Sequence, residues 1–308
     1  MSSEGPPEPV LVVLQKERGT LRVTGAEARS WLNGLVTCDV LPVAAGRGAF
    51  GLALNKQGKI QSEIEVVATE TGLLLGVSPG VDHALAETLD KFLVMEDAEL
   101  AVASATYLWA DFHGAGAGLL AESAAQLTGG YAAVVQFTPA GGATLVFERT
   151  ALLELERFVA RTPALSLASD AEWEAFRIEQ TLGRFGVDFT DSDNPHEAAL
   201  DRRAVSWNKG CYLGQEVVCM QDMRGKLKRR LVTLALDSSE APAVGAPVTA
   251  LTAVGENESV GEVTSAAVSP ATGKAVALAR VKGPYFDGKA ALALGGKSAA
   301  FVEQAPAE

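Results

Sequence analysis

Residues Lys209–Glu216 read Lys-Gly-Cys-Tyr-Leu-Gly-Gln-Glu, an order that no packing rule asks for. Two glycines bracket a Cys-Tyr pair, a lysine stands two positions before the thiol, and an amide and a carboxylate close the segment. Backbone freedom therefore surrounds reactive groups. A glycine-kinked turn feeding Val217–Val218, with Cys211 as a small buried hydrophobe, would leave the same pattern. One thiol beside one lysine does not separate the two readings.

Composition narrows the setting. The 308 residues suggest about two domains at roughly 150 residues each, and 48% hydrophobic residues supply their cores. A net charge of -12 argues against nucleic acid as a partner, because phosphate binding draws on clustered cations. Arg224, Lys226, Lys228, Arg229 and Arg230 form one local basic cluster, which suits an anion or the solvated edge of a strand. Residues 1–9 are acidic and proline-rich, with neither a basic start nor an apolar core, and are expected to be a disordered cap. No run approaches the ~20 apolar residues of a membrane span. Cys38, Cys211 and Cys219 are too few for a disulfide framework and match no ferredoxin spacing, so a reducing cytoplasm and no stably held cluster are expected. His83, His113 and His196 show no metal-ligand spacing, and no metal site is expected.

Periodicity gives an α+β chain. Val10–Val23 reads as strand, turn, strand, and Ala28, Trp31 and Leu32 mark one face of a short helix. Phe50–Leu54 and Ile60–Val67 read as strands, with Glu63 and Glu65 on one face of the second. Val81–Phe92 has helical spacing and Leu100–Leu108 is strand-like. Gly114–Gly118 lacks the lysine of a phosphate loop and reads as a turn. From Ala171 a helix is expected, capped by Asp170, with Ala175, Ile178, Leu182 and Phe185 facing the core. Beyond Gly225, Leu231–Leu236, Pro242–Pro247, Val260–Val263 and Lys274–Val281 read as short strands of a small barrel. The resulting division is 1–9 cap, 10–225 α+β region of two subdomains, and 226–308 β-barrel.

The motifs resemble those of the YgfZ family, folate-binding proteins that share a fold with the glycine-cleavage T-protein and support iron–sulfur proteins. The likeness runs from Val23–Ala28 and Leu54–Ile60 through Arg177-Ile178-Glu179, Gly183–Asp188 and Pro195-His196-Glu197 to Lys209–Glu216, then Arg229-Arg230-Leu231 and Gly261–Ser265. Met220 stands where the family signature continues to an arginine.

The resemblance implies a T-protein-like fold that binds tetrahydrofolate or a derivative. Glu179, beside Arg177, would hold the pterin's amino-pyrimidine edge, and Arg202, Arg203, Arg229 or Arg230 the glutamate tail. Tyr212 would stack or pack, Gln215 and Glu216 would hold the loop, and Cys211, its thiolate favoured by Lys209, would act as the reactive group. The T-protein's aspartate pair falls on Ser62-Glu63, so aminomethyl transfer is expected to be lost. The implied role is an accessory protein, monomeric, for iron–sulfur client enzymes such as tRNA-modifying ones. A folate-dependent one-carbon transferase using Glu63 or Cys211, and a non-catalytic docking protein, are the alternatives.

Overall fold

The computed structural model describes residues 9–138, 140–251 and 257–302. Of the N-terminal cap, residues 1–8 lie outside them. The chain runs through β1 (Val10–Gln15), β2 (Gly19–Thr24), α1 (Ala28–Asn33), β3 (Gly46–Arg47), β4 (Ala49–Leu54), β5 (Ile60–Ala68), β6 (Gly72–Val77), α2 (Asp82–Asp90), β7 (Glu99–Val102) and β8 (Tyr107–His113). It continues through α3 (Ala117–Thr128), β9 (Tyr131–Val134), β10 (Gly142–Glu148), α4 (Leu152–Arg161), β11 (Leu165–Leu167), α5 (Asp170–Glu179) and α6 (Gln215–Arg224).

These strands make two sheets, ordered β11-β1-β8-β10-β9-β3 and β4-β5-β6-β2-β7. Val67 and Leu74 of one sheet pack on Trp109, Ala133 and Val146 of the other, which forms a core between them. Helices α1 and α2 cover the second sheet and α3 and α4 the first, each over its own apolar cluster. Burying both faces of each sheet requires this layering.

Two segments prove to be crossings between sheets. Val10–Val23 is strand, turn, strand as expected, but β1 pairs with β8 and β11, whereas β2 pairs with β6 and β7, so the two strands do not pair with each other. Leu100–Leu108 likewise splits into β7 and β8. Local alternation shows that a segment is extended but not which strand it pairs with. The two crossings put Arg18 and the ends of β1 and β8 where the sheets meet.

α5 begins one residue earlier than expected, with Ser169 rather than Asp170 as its cap. Ser169 accepts from the Glu172 N–H, and Glu172 accepts from Ser169, in a capping box. The helix stops at Glu179, and Thr181 takes the left-handed conformation at φ 53°. Leu182 and Phe185 therefore leave the helical stripe and turn toward the sheets.

The remaining strands, β12 (Arg229–Leu236), β13 (Pro247–Leu251), β14 (Asn257–Val268), β15 (Ala275–Lys282), β16 (Leu292–Leu294) and β17 (Lys297–Phe301), close a barrel ordered β12-β15-β14-β13-β16-β17. The strand expected at 242–247 begins only at Pro247, because Ala243 and Ala246 close a turn first. Ile178 packs on Leu231, Val276 and Leu278, which seats α5 against the barrel. Among the described residues no helix is long and apolar enough to cross a membrane.

Candidate functional site

A cavity of about 310 Å³ lies where the two sheets meet the segment from α5 to Arg203. Its size suits a small heterocycle. Arg18, from the turn between β1 and β2, joins the sheets across it. Its Nη1 and Nη2 donate to the two carboxylate oxygens of Asp111 at 2.9 Å each, and Nη1 lies 2.7 Å from Glu65 Oε1. Gln15 Nε2 donates to the same Asp111 at 2.8 Å. Gly76 makes room, since a Cβ there would stand 2.9 Å from Arg18 Cδ and 3.2 Å from the Trp109 ring. Burial disfavours the guanidinium's charge, but Asp111 and Glu65 outweigh it and Arg18 holds its proton more firmly than usual.

Glu63 and Glu65 are the alternate residues of β5 that face this cavity. One arginine cannot neutralise three carboxylates, and burial acts on those left over. It pushes Glu63 up to about 7, against the pull of Arg18, the Phe185 N–H and Arg203. Burial raises Glu65 as well, against Arg18. Glu65 Oε2 is buried with no hydrogen-bond partner among the described residues. Glu63 is half-buried, and its carboxyl accepts one long bond, 3.4 Å, from the Phe185 N–H.

The cavity also has an aromatic lining. His113 stacks on Trp173 with centroids 5.3 Å apart and planes at 24°, and Phe137 and Phe176 flank it at 5.3 and 5.1 Å. Burial lowers the His113 pKa to about 4, so its imidazole is neutral. Phe50, Phe137 and Trp173 line the space itself. Arg203 completes the lining, with Nη2 donating to the Thr181 carbonyl at 3.0 Å and Nη1 to that of Phe137 at 3.4 Å. Burial lowers its pKa.

The structure sends most of the sequence candidates elsewhere. Glu179 is half-buried at the end of α5 and does not line the cavity. Arg177 is fully buried in the junction with the barrel, where it pairs with Asp188 at 2.8 Å, donates to Ser265 at 2.6 Å and also pairs with Glu174. It is a packing residue because α5 turns that face to β14. Of the four arginines named for an anionic tail, Arg229 is held by Asp193 at 2.6 Å and Arg230 by Asp201 at 2.9 Å and the His196 carbonyl at 2.8 Å. Arg202 is exposed, and only Arg203 reaches the cavity.

In the signature loop, Lys209 Nζ donates to the carbonyls of Asn33, Val36 and Cys38 at 2.7, 2.8 and 2.6 Å. Its charge is spent on backbone oxygens. Cys211 is exposed, which excludes the reading of it as a small buried hydrophobe. Tyr212 is buried beneath the Lys209 ammonium, 5.5 Å from its ring centroid, and burial pushes its hydroxyl up to about 12. Gln215 and Glu216 form the first turn of α6. Gly214, at φ 82°, is required there, because a Cβ would come within 2.6 Å of the Asn55 carbonyl. The loop is tied to the cavity by packing. Tyr212 belongs to the apolar cluster of Leu200, Phe50 and Phe185, all three of which line the cavity.

Sequence reasoning named Glu63 and the shared face with Glu65, and missed Arg18, Asp111 and His113 as parts of one site. A glutamate pair on a strand otherwise made for burial was the available signal.

Residues 229–304 match the family described as the glycine cleavage T-protein C-terminal barrel domain. The whole fold is similar to the glycine cleavage system aminomethyltransferase T of Bartonella henselae, with a TM-score of 0.79 over 97% of this chain and 86% of that one, at 17% identity. The tRNA-modifying protein YgfZ of Vibrio vulnificus (strain YJ016) is 29% identical over 241 residues, 76% of this chain and 72% of that protein. The protein of the same name from Sodalis glossinidius (strain morsitans) is 30% identical over 263 residues, 77% of this chain and 75% of its own. Similarity at that level across three quarters of both chains, on a T-protein-like fold, means that this chain belongs to the YgfZ family.

Proposed function

We propose that this protein binds tetrahydrofolate or a derivative in the cavity between the sheets and acts in the cytoplasm as an accessory protein for iron–sulfur enzymes, tRNA-modifying ones among them. The observation that carries the folate reading is that the Glu63 carboxyl lines the same cavity as the rings of Trp173, Phe137 and Phe50. The pyrimidine ring of a reduced pterin is flat and has a donor edge. The rings accept its faces, and a carboxylate accepts two parallel N–H bonds from its amino-pyrimidine edge.

The client role rests on the name carried by the relatives, tRNA-modifying protein, and on the exposed Cys211. Aminomethyl transfer does not fit this chain. Ser62 donates its hydroxyl to the Glu63 carbonyl and accepts from the Ser78 N–H, so that position carries no free carboxylate. Complementation of a strain lacking a YgfZ-type protein tests the role, read as the activity of its iron–sulfur tRNA-modifying enzymes. The wild type is expected to restore activity, and Cys211→Ala and Glu63→Gln are not. Failure of the wild type would refute the role, and full rescue by Cys211→Ala would assign the loop to docking instead.

A further inference from the structure

Glu63 and Arg203 line the same cavity and feel each other's charge, yet they do not meet as an ion pair. Each is half-buried and poorly satisfied. Glu63 accepts one bond of 3.4 Å from the Phe185 N–H. Arg203 spends two of its five N–H donors on the neutral carbonyls of Thr181 and Phe137. A cation and a carboxyl left apart at one cavity are complementary to a ligand edge that offers an acceptor to one and donors to the other.

The 4-oxo-2-amino-pyrimidine edge of a pterin is such a pattern, with O4 as acceptor beside N3–H and the 2-amino group as donors. Resting on the folate reading above, we propose that Arg203 determines specificity by donating to O4 of the bound pterin while Glu63 accepts from N3–H and the 2-amino group. Arg203 then selects 4-oxo over 4-amino pteridines. A 4-amino group would turn its own donors toward the guanidinium and leave both unpaired. A site built on the carboxylate alone would show the opposite preference, because the diamino ring is the more basic. The sign of the preference thus reports whether Arg203 takes part.

Calorimetry of the full chain under anaerobic conditions provides the test, with tetrahydrofolate and tetrahydroaminopterin, which differ in the C4 substituent and, with it, in the hydrogen on N3. Tetrahydrofolate is expected to bind the wild type at least about thirtyfold more tightly, the range a buried unpaired donor costs. Arg203→Met, which leaves the carboxylate alone, is expected to abolish that preference or reverse it in favour of the diamino compound. Equal affinity in the wild type, or preference for the diamino compound, overturns the assignment of Arg203 while leaving folate binding intact. Binding of neither overturns the folate reading and this proposal with it. The wild-type comparison decides the matter even where Arg203→Met does not fold.

Discussion

The ammonium of Lys209 donates to the carbonyl of Cys38 at 2.6 Å, across 171 positions of sequence. With Asn33 and Val36 it forms three such bonds, which clamp the signature loop to the end of α1 and the chain that follows it. Lys209→Met should therefore destabilise the fold by about 2–3 kcal/mol in urea unfolding, the worth of a charged hydrogen-bond cluster in a half-buried place. Labelling with iodoacetamide at pH 7.5 should run Cys211 first, Cys219 second and Cys38 last, since burial excludes reagent from Cys38 and pushes its thiol up to about 12. The Cys211 rate should change less than about threefold in Lys209→Met. A much larger loss would mean that the lysine acts on the thiol after all.

Arg177 and Asp188 are both fully buried, and Asp188 also accepts from Ser265 at 2.7 Å and Thr264 at 2.6 Å. Removing one partner leaves a buried charge unpaired, so Arg177→Leu should cost about 3–5 kcal/mol. A double-mutant cycle with Asp188→Asn should recover part of that loss. Additive costs would show that the two groups are independent.

Much of this architecture was legible in the sequence. The motif order gave the family and the fold, and the short strands after Gly225 gave the barrel. The two faces of β5 were visible, but the face bearing Glu63 and Glu65 ordinarily meets solvent, and only its burial against Arg18 makes it a site. Arg18, in the turn between β1 and β2, and Asp111, in β8, lie 93 positions apart, a pairing that local patterns do not encode. Thr181 hid the end of α5 for a similar reason. A β-branched residue is a poor choice for φ 53°, and it is held there by the Thr233 hydroxyl at 2.6 Å on the barrel.

Folate binding should depend on pH through Glu63. Its carboxyl titrates near 7 in the free protein, raised chiefly by burial. The ionised form accepts the donor edge, so affinity should rise as pH increases from about 6 to 8 and level off above, while ligand binding releases a proton near pH 7. In Glu63→Gln the profile should be flat. Calorimetry in buffers of different ionisation enthalpy checks both points, and a profile that falls with pH would assign the acid form to binding.

Affinity for tetrahydrofolate in two single variants, Glu63→Gln and Glu179→Gln, most directly tests whether the cavity is the folate site. Glu63 lines that cavity, whereas Glu179 ends α5 outside it. The account predicts that Glu63→Gln weakens binding by about 2–5 kcal/mol and Glu179→Gln by less than about threefold. Near-abolished binding in Glu179→Gln, with Glu63→Gln unaffected, would contradict it and move the pterin to the end of α5.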